Sequence, residues 1–184
     1  MTPARPLIAV IGSGQHPHNH WSDPLGRWLA ENDCDLINGG GGGVMEAVAK
    51  AFSRVQGREG QIIAVLPSTG DCGSIEGRRN YHSPAGYPNG FVDRVIRTHL
   101  PLSGSLGKDT GSRNHIIILS ADCVVALPGG PGTRSEIELA LDYGKPIMIV
   151  NAQGEWKEFS GQGIAMAQSI EEILAWLAEK TLGI

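Results

Sequence analysis

Five consecutive glycines, Gly39 to Gly43, separate a short apolar run from a helical pattern that opens at Val44, and a second glycine-rich turn, Pro128 to Gly132, repeats the arrangement. Glycine lacks Cβ, takes positive φ without strain and lets backbone amides approach a neighbour closely. A strand followed by glycines and then a helix aims the free first-turn amides, and the positive end of the helix dipole, at an anion. A tight turn with close helix packing would use one glycine; five in a row favour contact with an anionic ligand. Neither turn carries GxxxxGK[ST] or GxGxxG, so ATP hydrolysis and NAD redox chemistry lose support.

Short apolar, β-branched runs at 7–11, 35–38, 61–66, 92–98, 122–127 and 146–150 predict strands. Helical patterns fall between and after them, at 24–32, 44–55, 113–120, 133–143 and 169–180. The last opens on a capping box, Ser169 with Glu172. Strands that are apolar on both faces and alternate with helices predict an α/β Rossmann-like three-layer sandwich, with a mostly parallel sheet of about six to seven strands. At 184 residues the whole chain reads as one domain. Ligands of such sheets bind at the carboxyl ends of the strands, which nominates the loops at 12–20, 39–43 and 128–133. The stretch 67–90 is too long for an ordinary connection and predicts a functional loop.

Composition narrows the partners. Fifteen basic against nineteen acidic residues leave none of the basic excess that a nucleic-acid phosphate backbone demands. No segment has the ~18 apolar residues of a membrane span, and the apolar run at the N-terminus leads straight into glycine, as a first strand would. Cys34, Cys72 and Cys123 are unpaired in spacing, which fits a reducing cytoplasm.

Within the loops, Thr133 caps the following helix or offers its hydroxyl to a phosphate, and Gly130 and Gly132 expose amides to the same group. Glu136 is placed in the first turn of that helix, where it is either a capping-box partner of Thr133 or a site carboxylate kept ionised by the dipole. Arg113 pairs with Glu136, binds ligand oxygens, or makes a surface ion pair. His16, His18 and His20 lie in a loop with no matching Cys or carboxylate cluster, so polar ligand contacts or plain loop roles are preferred to a metal. Arg78 and Arg79 read as a solvated basic pair. Trp156, Phe159 and Trp176 read as packing for the C-terminal cap, and Leu139, Leu141 and Tyr143 as packing or a helix seam between subunits.

Gly39 to Ala47 is similar to the GGGxGxMEA element, and Pro128 to Glu136 to the PGGxGTxxE element, of the LOG and lysine-decarboxylase-like family of the SLOG superfamily. Arg113, fifteen residues before Pro128, and Asp122, six before it, hold the family's offsets. The stretch from Ser112 to Pro146 also resembles the branch that includes the molybdenum cofactor carrier proteins. Asn114 stands where the plant-type enzymes have lysine and Glu46 where they have glycine, and 67–111 matches no base pocket.

The resemblance implies a homodimer or homotetramer that binds a small phosphate ligand, AMP-like or a pterin phosphate, with no nucleic acid or membrane as partner. It implies hydrolysis of the N-glycosidic bond of a nucleoside 5′-monophosphate, with Arg113 and Glu136 catalytic and no cofactor required. The alternative is a non-catalytic carrier or sensor with molybdenum cofactor as cargo. The ligand- and phosphate-binding candidates are Gly12 and Ser13; Gly40, Gly41, Gly42, Gly43, Met45 and Glu46; and Pro128, Gly129, Gly130, Gly132 and Thr133.

Overall fold

The computed structural model describes residues 5–69, 73–161 and 163–182; Cys72 lies outside the described residues. Seven strands, β1 (Leu7–Ile11), β2 (Asp35–Asn38), β3 (Ile62–Leu66), β4 (Arg94–Arg97), β5 (Cys123–Ala126), β6 (Ile147–Val150) and β7 (Ala165–Ala167), form one sheet in the order β4-β3-β2-β1-β5-β6-β7. Every pairing is parallel. Chain order reverses between β1 and β5, the place where a Rossmann-like sheet opens a crevice at its carboxyl edge.

Period-two alternation builds the layers. Ile8 and Val10 of β1 join Leu25, Leu29, Val48 and Phe52 in one core, under α1 (Asn19–Glu31), α2 (Val44–Ser53) and α6 (Ile170–Leu182). Ala9 and Ile11 join Ile117, Ile118 and Ile137 in the other, under α4 (Asn114–Ser120) and α5 (Pro131–Asp142). The α1–α2 crossing is close because residue 26 is glycine: a Cβ there would press on the Val48 carbonyl and lie 2.9 Å from Ala51 Cβ. Cys34 and Cys123 are buried in the first core and unpaired; burial pushes their thiols up to about 11 and about 12.

Boundaries shift where local rules compete. α1 begins at Asn19, one turn ahead of the start expected at Pro24, because the His18 carbonyl accepts from the amides of Trp21 and Ser22. Pro24 then costs only one helical hydrogen bond, in the second turn. Two elements, β7 and the short α3 (Ile75–Arg79), add to those expected. The capping box expected at α6 forms in one half: Ser169 Oγ accepts from the Glu172 amide at 3.3 Å, whereas the Glu172 carboxylate accepts from the Gln168 amide at 2.8 Å, one residue ahead of the N-cap. Trp156 and Phe159 pack into the second core and Trp176 against the first. No helix among the described residues is long and apolar enough to cross a membrane.

Candidate functional site

A cavity of about 720 Å³ lies at the carboxyl ends of β1 and β5, where the chain order reverses. Ser13 ties its loops together. The Ser13 amide donates to the Pro128 carbonyl at 3.0 Å, and its own carbonyl accepts from the Val44 amide at 2.8 Å. Ser13 Oγ accepts from the His16 amide at 2.9 Å. The contact demands glycine on each side. A Cβ at Gly12 would lie 2.8 Å from Val44 Cγ2, and one at Gly129 would lie 2.9 Å from the Ser13 nitrogen. Gly43, at φ +62°, leaves room for the Ser13 carbonyl.

α5 presents free first-turn amides to the cavity. Its N-cap is Gly130, with no side-chain cap, and Pro131 takes the first helical position, where its missing N–H is no loss. The next amides, of Gly132 and Thr133, lie in the first turn, which has no intrahelical acceptor for them. Both residues line the cavity. No atom lies within 4 Å of where a Gly130 side chain would begin, so that wall is open to a ligand.

Pro131 also sets the place of Glu136. The helix starts earlier than expected, so Glu136 falls in the second turn, outside a capping box. Its carboxyl lines the cavity. Burial pushes it up to about 7, and the nearby Arg113 charge offsets this only in part. The expectation of a carboxylate held ionised by the dipole is therefore corrected: that field fades within the first turn, and desolvation outweighs it.

Arg113 forms the N-cap of α4 and is 5 % exposed. It is no surface ion pair. Its Nε and Nη1 are buried without a hydrogen-bond partner, and among the described residues no ion pair joins it to a carboxylate. Donors left unpaired in a protein interior cost on the order of 1–3 kcal/mol each. Arg113 lines a cavity that an oxygen-rich ligand could enter.

Residues 5–175 match the family model described as the SLOG cluster4 family. The chain belongs to this SLOG family. A relative from Archaeoglobus fulgidus is 35% identical over 144 residues, 76% of each chain. Among solved structures, a Moco carrier protein from Chlamydomonas reinhardtii is similar at 26% identity and TM-score 0.73, over 98% of this chain and 100% of that one. A molybdenum cofactor binding protein from the phototrophic bacterium Rippkaea orientalis is similar at 27% identity and TM-score 0.69, over 96% and 97%.

In this SLOG protein the nominated residues divide. Arg113, Glu136, Gly12, Ser13 and Met45 line the cavity, as do Pro128, Gly129, Gly130, Gly132 and Thr133. Gly40, Gly41, Gly42, Gly43 and Glu46 are not in that lining; Gly43 and Glu46 border a separate hollow of about 410 Å³. The glycine run serves chain packing: Gly40, at φ +72°, sits where a Cβ would lie 2.7 Å from Ala64 Cβ. Only Gly39, at its start, reaches the cavity.

Four further cavity residues, Tyr87, Ser103, Gln153 and Glu155, come from long connections whose course no periodicity fixes. His16 and His18 also line the cavity, and His20 packs on Trp21. Burial, reinforced by the charges of His16 and His20 and opposed by Glu155, holds the His18 imidazole below its ordinary pKa. Among the described residues no group of three or more His, Cys, Asp and Glu is arranged to hold a metal ion. Arg78 and Arg79, at the end of α3, stand outside the cavity wall. Leu139 is buried and Leu141 partly so, whereas Tyr143 is 38% exposed and contacts His115.

Proposed function

We propose that this SLOG protein binds a nucleoside 5′-monophosphate with its phosphate at the N-terminus of α5, and hydrolyses the N-glycosidic bond to free base and ribose 5-phosphate. One observation carries the reading: a carboxyl that titrates near neutrality, Glu136, lines the same cavity as the unpaired donors of Arg113, beside the open first turn of α5. As the C1′–N bond breaks, its electron pair leaves with the base and positive charge develops on the ribose. An ionised Glu136 stabilises that charge more than it stabilises the ground state. Water then bonds to C1′ and gives its proton to Glu136, whose pKa near 7 suits a general base; the departed base takes up a proton from solvent, and Glu136 returns its own to solvent to restore the ionised form. The Arg113 guanidinium holds ribose or phosphate oxygens. The working form is a homodimer or homotetramer in the cytoplasm, with no cofactor required.

The full-length likeness to molybdenum cofactor carriers favours a second reading, a carrier with that cofactor as cargo on the same phosphate seat. Release of adenine from AMP by wild type and Glu136→Gln separates the two. Hydrolysis predicts turnover in wild type, a loss of about 10²–10³-fold in the variant, and AMP binding retained in both. Tight binding without turnover in wild type leaves the carrier.

A further inference from the structure

Tyr87 stands where the long 67–90 connection meets the glycine run. Asn89 anchors that connection: its amide donates to the Gly40 carbonyl at 2.7 Å and its side-chain amide to the Gly41 carbonyl at 2.9 Å. The hydroxyl end of the Tyr87 ring then abuts Gly41, where a Cβ would lie 2.7 Å from both its Cζ and its hydroxyl oxygen. Met45 Cε closes the same corner, 2.9 Å from that point and 4.0 Å from where a Gly14 side chain would begin. Tyr87, Met45 and Gly14 all line the cavity. None of the hydrogen bonds among the described residues uses the Tyr87 hydroxyl, and an aromatic residue thus borders the ligand space beside a thioether.

The sheet order gives this corner its meaning. Loops after β2, β1 and β5 lie side by side in that order, two interstrand spacings or about 10 Å across. With phosphate on the β5 loop and ribose beside Arg113 and Glu136, the rest of a nucleotide falls on the β2 loop, at Met45 and Tyr87. Aromatic rings and thioethers hold a flat heterocycle by stacking and sulfur contacts, with little regard for which ring it is.

We propose that Tyr87, seated on Gly41 and flanked by Met45, is the platform on which the planar nitrogen heterocycle of the phosphorylated ligand stacks. The inference rests on the phosphate placement of the preceding section. It makes Tyr87 a determinant of heterocycle binding that the phosphate and ribose do not touch.

Calorimetry with AMP, neopterin monophosphate and ribose 5-phosphate tests it on wild type, Tyr87→Ala, Tyr87→Phe and Gly41→Ala. Tyr87→Ala is expected to weaken the heterocyclic ligand about 10-fold or more and ribose 5-phosphate by no more than about twofold; Tyr87→Phe keeps the ring and most of the affinity. Gly41→Ala displaces the ring without deleting it, at the far end of flexible side chains where the fold can yield, and is expected to reproduce much of the loss. Whether AMP or neopterin monophosphate shows the pattern tells a nucleobase from a pterin. Equal losses for all ligands, or no loss for the heterocyclic one, overturn the platform while the phosphate seat stands. A wild type that binds none of the three overturns the phosphate placement and the platform with it.

Discussion

The guanidinium of Arg113 fills the space that any side chain at Gly39 would occupy: a Cβ there would lie 2.7 Å from Cζ and closer still to both Nη atoms. Gly39 is thus a seat for the arginine, and its own backbone reaches the cavity.

Gly39→Ala is therefore expected to push Arg113 off its position while leaving both cores intact. Displacement of a positioned group by about 1 Å can cost on the order of 100-fold in rate, so the variant should approach Arg113→Ala in its loss of AMP turnover. Its pH profile should also move. With the arginine charge withdrawn, Glu136 titrates higher, and the rising limb of kcat/KM shifts to higher pH than in wild type. A Gly39→Ala protein with wild-type turnover and an unmoved limb would refute the seat.

Glu136 itself gives opposite pH trends for activity and stability. Its carboxyl titrates near 7 in the folded chain against 4.5 for an ordinary glutamate. If the ionised form is the working one, kcat/KM climbs with an inflection near 7 and then levels. Between 4.5 and about 7 the native chain keeps a proton that the unfolded chain has released, so this group lowers stability as pH rises through that window. Glu136→Gln should therefore exceed wild type by ~1–3 kcal/mol at pH 8, discounted for partial exposure, and match it at pH 4. Urea unfolding of both proteins at the two values checks the sign.

At the far edge of the sheet the sign is reversed. Asp93 accepts from both Arg58 Nη atoms at 2.9 Å and from the Ile62 amide at 2.8 Å, pinning the approach to β4 against β3. Burial pushes the Asp93 carboxyl up, but these donors outweigh it and hold the carboxyl below its ordinary 3.8. Its stabilisation is present above 3.8 and lost as pH falls through the lower folded value. Asp93→Asn is expected to cost about 1–2 kcal/mol at pH 7 and less at pH 3, measured by urea unfolding.

How much of this was legible in the sequence depends on what each feature answers to. Six strands and the two glycine turns were, because β-branched runs and glycine clusters act locally. β7 was not: Ala165–Ala167 is short and has no β-branched residue, and only its pairing with β6 makes it a strand. Glu136 was assigned to the right helix but one turn too early, since Pro131 at the first helical position outcompeted Thr133 as the signal of where α5 begins. Its protonation depends on burial in the folded chain and on Arg113, twenty-three residues earlier, neither of which helical spacing reports. The glycine run pointed to a ligand but packs against Ala64, Tyr87 and Ser13, partners that local spacing does not name. Tyr87, Ser103, Gln153 and Glu155 reach the cavity on loops whose paths tertiary contacts decide.

The knot at Ser13 has a consequence for how such a protein can change. Because one residue bonds to Pro128 and to Val44, the three glycine-flanked segments that meet there are locked as a single block, and an alteration in any of them disturbs the other two. The stretch that brings Gln153 and Glu155 lies outside that block, whereas the one that brings Tyr87 is tied to it through Asn89. Descendants can therefore reshape the cavity wall at Gln153 and Glu155 by rewriting that one surface segment, while the knot beneath is inherited unaltered.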